Sequence, residues 1–308
     1  MRMNRLVIDT DPGVDDAHAI MLAFAYPGAR VEAITTVAGN VSLESATRNA
    51  LVILEAIGRD APVYPGCDDA LVVPTPRRAM SHGTDGLGDS GYPSPLRQAS
   101  TEHAAHALIR MANQSPNELT LAAIGPLTNI ALATRLDPDL PRKYRRLVVM
   151  GGAIHARGNS WERAAEFNFY CDPEAAAVVF SRWPMVTLVP WETTVSHSLP
   201  LPLIEELIGD ESPRAALFRR TISKRFIEQT PGQRVLFEPD PLALAVALEP
   251  EIVRRAENRY VEIELAGRLT RGQTVIDWYD LTGHPHNAYL VHELDQERFV
   301  ELLKLSLK

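Results

Sequence analysis

Apolar runs one strand long alternate with amphipathic stretches along nearly the whole chain, and this alternation restricts the possible folds more than any other feature. Residues 5–8 (RLVI) read as a buried strand and 15–25 (DDAHAIMLAFA) as a helix. Residues 31–38 (VEAITTVA) read as the next strand. Residues 42–58 follow as a helix, with apolar positions three and four apart and Gly58 as its stop. The cycle recurs with 119–124 (LTLAAI) before LTNIALATRL, and with 146–150 (RLVVM) before DPEAAAVVFSRW; 186–190 (VTLVP) is a further strand. Strands separated by helices predict a largely parallel sheet covered on both faces.

Three stretches break the rhythm. Residues 72–100, rich in proline and glycine, read as a long surface loop or lid. Residues 200–238 read as helical and polar, ending at TPGQR. Segments 259–267, 273–280 and 287–294 read as strands of a hairpin-like appendage before a terminal helix, DQERFVELLKLSLK. No repeat, low-complexity tract or linker divides the chain. The expected fold is α/β: one domain, 1–308, with a Rossmann-like, mostly parallel sheet, helices on both faces and a small C-terminal β appendage.

Composition removes several function classes. A formal net charge of −8 argues against nucleic acid as a partner, because polyanions are usually met by basic surfaces. The apolar stretch after MRMNR is only a strand long, so neither a signal peptide nor a membrane anchor is readable, and a cytoplasmic location is expected. Two cysteines, Cys67 and Cys171, lie far apart and encode neither a disulfide framework nor a thiolate zinc site. The pair His103 and His106 and the stretch 284–286 (HPH) lack a third ligand nearby and read as solvated or structural histidines.

The segment DTDPGVDDA (9–17) places Asp9, Asp11, Asp15 and Asp16 directly after the first strand. Carboxylates held this close repel one another and need a cation or bound protons in compensation. With oxygen donors and no histidine or cysteine, the expected cation is hard, such as Ca²⁺ or Mg²⁺. The EF-hand spacing is absent. Simple helix capping by these acids competes with ion binding, but four acids around Pro12-Gly13 favour the ion. Haloacid-dehalogenase-type phosphatases share an Asp-x-Asp after a first strand; they also need a later lysine and a second acidic pair, for which Lys143, Lys224 and Asp15-Asp16 are poorly placed.

In an open parallel sheet, ligands bind beyond the carboxyl ends of the strands. Gly39-Asn40, residues 125–129 (GPLTN) and Gly151-Gly152 follow three other predicted strands. One site built from many loops is expected.

Taken together, DTDPGVDDA (9–17), ITTVAGN (34–40), HGTDGLG (82–88), AIGPLTNIA (123–131), MGGA (150–153), GN (158–159), AEFNFYCDPEAA (165–176) and DPLALAVAL (240–248) closely resemble the inosine-uridine-preferring nucleoside hydrolases. The resemblance implies Ca²⁺-dependent hydrolysis of the N-glycosidic bond of small-molecule ribonucleosides, giving ribose and free base in purine or pyrimidine salvage, by a homodimer or homotetramer. It implies that Asp11, Asp16, the Thr128 main-chain carbonyl and Asp240 hold the ion, with Asp11 also the general base on the attacking water. Asp15 and Asn40 would bind ribose hydroxyls, and Asn159, Glu166 and Asn168 would complete the sugar site. These residue types suit the chemistry: cleavage builds oxocarbenium-like positive charge on the ribose, which carboxylates stabilise, while neutral amides grip the sugar without cancelling that field.

One position departs from the pattern. Many family members carry a histidine before the acid matching Asp240, and it protonates the departing base; here LFEPDPLA puts Pro239 there. Candidate substitutes are His82, Glu238, or aromatic stacking by Trp161, Trp191, Phe226 or Phe237. His82 is expected to line the base side of the pocket. The competing class is a nucleoside- or ribose-binding protein whose hydrolysis is weak or lost through Pro239.

Overall fold

The structure is a computed structural model that describes residues 3–74, 81–161, 163–209, 211–222 and 235–308. Twelve strands occur among them: β1 (Asn4–Thr10), β2 (Ala29–Thr36), β3 (Val63–Pro65), β4 (Leu119–Ala123), β5 (Arg146–Met150), β6 (Val186–Val189), β7 (Leu199–Pro200), β8 (Val235–Leu236), β9 (Val253–Arg259), β10 (Val261–Ile263), β11 (Thr274–Ile276) and β12 (Ala288–Leu294). Eight of these form one sheet in the order β3-β2-β1-β4-β5-β6-β12-β9. Every pairing in it is parallel except that of edge strand β9 with β12.

The two-residue period of a strand explains the layers. In β1, Leu6 and Ile8 enter one apolar core while Val7 enters the other. Val148 and Met150 of β5 likewise face one core and Leu147 and Val149 the opposite one. Helices Val14–Ala25, Leu43–Ala56, Pro239–Leu248 and Gln296–Ser306 supply the first core. Helices Ala104–Gln114, Thr128–Leu136 and Pro173–Arg182 supply the second. Strand β1 lies between β2 and β4, so the chain winds outward in both directions from β1, and the crevice beyond the β1 and β4 carboxyl ends is the topological switch point where such sheets bind ligands.

The C-terminal appendage is smaller than expected. Only β10 and β11 stand off as an antiparallel pair. Segment 287–294 instead enters the main sheet as β12, because Ala288, Leu290 and Val291 bury against both cores, which an exposed hairpin could not allow. Segment 259–267 is split between the end of β9 and β10. The stretch expected to be helical and polar contains helices Leu201–Ile208 and Pro213–Thr221, whose Ile204, Leu207, Leu217 and Phe218 are buried. Its TPGQR end lies outside the described residues. The described residues of 72–100 contain no helix or strand, and Leu87 within them is fully buried. Among the described residues no helix is long and apolar enough to cross a membrane.

Candidate active site

Asp11 lies in the turn between β1 and helix Val14–Ala25, with no exposed surface. Its Oδ2 accepts the Asn40 N–H (2.6 Å), and its Oδ1 is buried with no hydrogen-bond partner in the protein. Two glycines make room for it: a Cβ built on Gly39 would stand 2.1 Å from Oδ2, and one on Gly125 would stand 2.6 Å from Oδ1. Gly39 follows the β2 strand and Gly125 the β4 strand, so the carboxylate is slotted between the two loops flanking the switch point.

The helix start places the next acids. Gly13 is the N-cap, and the Asp16 carboxylate reaches back to its N–H (2.8 Å), closing the helix end from the N3 position. Asp16 also accepts from the Thr10 hydroxyl and from Asn40 Nδ2 (3.3 Å). Asp240 arrives from the far end of the sequence, in the first turn of helix Pro239–Leu248 and not as its N-cap, and it shares a hydrogen bond with Asp16. Asp15, Asp16 and Asp240 each offer an oxygen within 4.8 Å of the other two. Burial, followed by repulsion from Asp16, raises the carboxyls of Asp11, Asp15 and Asp240 well above the usual range; burial also raises Asp16. Such acids ionise together only beside a cation, and the unpartnered Oδ1 atoms of Asp11 and Asp15 are acceptors suited to one. The donor set therefore fits a hard metal ion.

Above the acids is a cavity of about 390 Å³, within the range of roughly 300–1,000 Å³ usual for small-molecule sites. Asp15, Asn40, His82, Asn159, Glu166, Asn168 and Asp240, all read from the sequence, line it. Glu166 caps helix Phe167–Cys171 and accepts N–H groups from Asn168 (2.9 Å), Gly152 (3.0 Å) and Phe169 (3.2 Å); burial nevertheless pushes its carboxyl up to about 7. Asn168 lines the cavity and donates its amide to the carbonyls of Ile124 (3.1 Å) and Met150 (3.2 Å). Asn159 accepts the Phe167 N–H (2.8 Å) at the exposed rim.

His82 rests on the Pro12-Gly13 turn. A Cβ on Gly13 would strike the ring 2.4 Å from Nδ1. Nδ1 accepts the Val14 N–H (3.2 Å), so the neutral ring carries its proton on Nε2. Asp15 Oδ1 is 3.6 Å from Nδ1, too far for a hydrogen bond, and burial lowers the imidazole to about 4, so the ring is neutral despite the nearby acid. Asn49 holds the loop in place by donating to the carbonyls of both Pro12 (3.1 Å) and Asp85 (2.8 Å).

Other candidates are placed differently. The Thr128 hydroxyl is committed to Asp172 Oδ2 (2.8 Å), and Thr128 is not among the residues that line the cavity. Glu238 is buried against His18 (2.8 Å) and does not line the cavity. Trp191 and Phe237 pack on each other with centroids 5.4 Å apart, away from the lining; Trp161 lines it, and Phe226 lies outside the described residues. Asp9, the nucleophile of a phosphatase reading, is fully buried, is bonded to Thr35 and Asn129, and does not reach the cavity. Ile124, Met150, Ser81, Ser160 and Phe167 also line the cavity and were not singled out from the sequence. The strand-end rule points to the first two, since Ile124 follows β4 and Met150 ends β5.

A doubly wound sheet with a carboxylate-floored cavity at its switch point defines a small-molecule-binding α/β protein whose buried acids could hold a metal ion. The chain matches the model of the inosine-uridine preferring nucleoside hydrolases over residues 6–301 and belongs to that family, N-glycosidases that hydrolyse the N-ribosyl bond of ribonucleosides. It is 36% identical over 303 residues to the pyrimidine-specific ribonucleoside hydrolase RihA of Citrobacter koseri, covering 97% of this chain and 96% of that protein. Among solved structures it resembles an inosine-guanosine nucleoside hydrolase (TM-score 0.93, 35% identity, 99% of this chain and 98% of the other). It also resembles a purine-preferring ribonucleoside hydrolase from Gardnerella vaginalis (TM-score 0.90, 28% identity, 99% and 98% covered).

Proposed function

We propose that this nucleoside hydrolase works with Ca²⁺, held by Asp11, Asp16, Asp240 and the Thr128 carbonyl, and that Asp11 is its general base. The observation that carries this reading is the state of Asp11: one oxygen fixed by the Asn40 N–H, the other buried and without a partner. When bound, the ion offsets the crowded negative charge and makes a nearby water more acidic. Asp11 then takes the proton of the attacking water. Asp15 and Asn40 orient the vicinal ribose hydroxyls, while Asn159, Glu166 and Asn168 hold the rest of the sugar. As the N-glycosidic bond lengthens, positive charge grows on the ribose, and the buried carboxylates stabilise it without reorganising. His82, neutral and with its N–H on Nε2, is a hydrogen-bond donor, not a proton source, for the negative charge that develops on the departing base.

Pro239 in the cavity wall favours a second reading, binding with little turnover, because it has no proton to give. The relatives divide by base: one is named for pyrimidines and two for purine nucleosides. A panel of purine and pyrimidine nucleosides, assayed for reducing-sugar release before and after complete chelation, tests the proposal. Release that stops on chelation and returns with Ca²⁺ is expected. Release indifferent to the ion overturns the mechanism, and tight nucleoside binding without release establishes the second reading.

A further inference from the structure

Helix Pro239–Leu248 brings Asp240 to the acid cluster, yet apart from Asp240 it is apolar, and it is completely buried. Apolar packing is non-directional, so by itself it does not fix where such a helix stops along its axis. Directional bonds must do that. At its carboxyl end the Ala247 carbonyl accepts from Asn4 Nδ2 (2.7 Å) and Arg146 Nη2 (2.9 Å). At its amino end Asp240 bonds to Asp16, and the residue before the helix, Glu238, supplies a second polar anchor. Pro239 and Pro241 remove two of the N–H groups an N-cap would normally serve, and the Glu238 side chain makes no capping bond. It turns instead to His18.

His18 has no exposed surface and follows Asp15 by three residues, so the two share one face of helix Val14–Ala25. Its Nδ1 meets Glu238 Oε2 at 2.8 Å, and its Nε2 meets Ser306 Oγ at 2.7 Å. Ser306 Oγ donates to the Leu303 carbonyl (2.6 Å), so it accepts from His18 Nε2–H. The ring lies against Phe218 with centroids 4.4 Å apart. One imidazole thereby joins the helix that carries Asp15 and Asp16, the residue two places before Asp240, and the terminal helix.

We propose that His18 and Glu238 are positioning residues: a buried clamp that sets Asp240 against Asp15 and Asp16 and so shapes the ion site. The inference rests on the Ca²⁺ reading given above. Groups that orient metal ligands from behind typically cost 10–100-fold in metal affinity when removed. Losing one partner also leaves a buried acid unpaired, which destabilises the fold for a separate reason. The test must separate these two effects.

Three full-length variants do so, each stripped of ions and titrated calorimetrically with Ca²⁺, with thermal midpoint, KM and kcat measured alongside. His18→Leu removes the clamp and is expected to weaken Ca²⁺ binding about tenfold or more. His18→Asn places an N–H near the position of Nδ1 and is expected to stay within threefold of the wild type. The double variant His18→Leu with Glu238→Leu leaves no unpaired acid; its thermal midpoint is expected to recover while its Ca²⁺ affinity stays low, and it carries the test if the single variant does not fold. Unchanged affinity in His18→Leu, or affinity that recovers together with stability in the double variant, overturns the clamp. Failure of the wild type itself to bind Ca²⁺ overturns the ion reading and is a separate result.

Discussion

Gly39→Ala adds one methyl group beside the proposed general base and tests whether the position of Asp11 matters. The new Cβ would stand 2.1 Å from Asp11 Oδ2 and 2.8 Å from two ring carbons of Pro126, whereas ordinary contact begins at 3.4 Å. Both contacts are closer than a real Cβ allows, so the local backbone must shift and the carboxylate must yield, by up to about 1.3 Å. That shift breaks the 2.6 Å bond by which the Asn40 N–H fixes Asp11 Oδ2. Misplacing a reacting group by ~1 Å costs roughly 10²-fold in rate, while overpacking of this kind costs about 1–3 kcal/mol of stability. The assay is kcat for reducing-sugar release from the preferred nucleoside at saturating Ca²⁺, with circular dichroism to verify folding. Gly209→Ala, whose new methyl would meet nothing closer than 3.3 Å, is the control and should keep full activity. A folded Gly39→Ala enzyme with kcat within threefold of the wild type would show that Asp11 does not need this slot, and its role as base would fail with it.

Three further outcomes are expected. Chelation should lower the thermal midpoint and Ca²⁺ restore it, because an ion at a hundred times its Kd stabilises the native state by about 2.7 kcal/mol; a midpoint indifferent to Ca²⁺ contradicts an ion among these acids. His82→Ala should reduce kcat on at least one accepted nucleoside by roughly 10²–10³, and unchanged turnover on all of them rejects the hydrogen-bond-donor role. Glu166 has a native pKa raised from 4.5 to about 7, so the stability it contributes is fully present below about 4.5 and is lost as pH rises through 7. Glu166→Gln should remove that slope, worth about 3 kcal/mol, from denaturant unfolding measured between pH 4.5 and 8; parallel curves for the two proteins refute it.

Much of the fold was legible because its signals are local. A strand buried on both faces writes itself as an unbroken apolar run, as RLVVM does, and the amphipathic 42–58 stretch became helix Leu43–Ala56 for the same reason. Segment 287–294 reads the same whether it closes a hairpin or fills a sheet; the choice depends on Val186–Val189 lying alongside it. Strand β3 is only three residues long and was not seen at all. In the site, residues within one motif were found together, whereas Ile124 and Met150 carry no polar signature and are recognised as lining residues only from where their strands end.

The order and chemical type of the residues determined an α/β chain with an acid-rich turn after its first strand, since hydrophobic period and like-charge crowding are written within a few residues of each other. Tertiary packing alone decided that Asp240 joins Asp16, that the Val14 N–H occupies His82 Nδ1, and that Glu238 turns to His18 and away from the cavity. Two of those contacts span most of the chain and the third 68 residues, and their geometry follows from how whole helices and loops settle on the sheet, which no local stretch encodes.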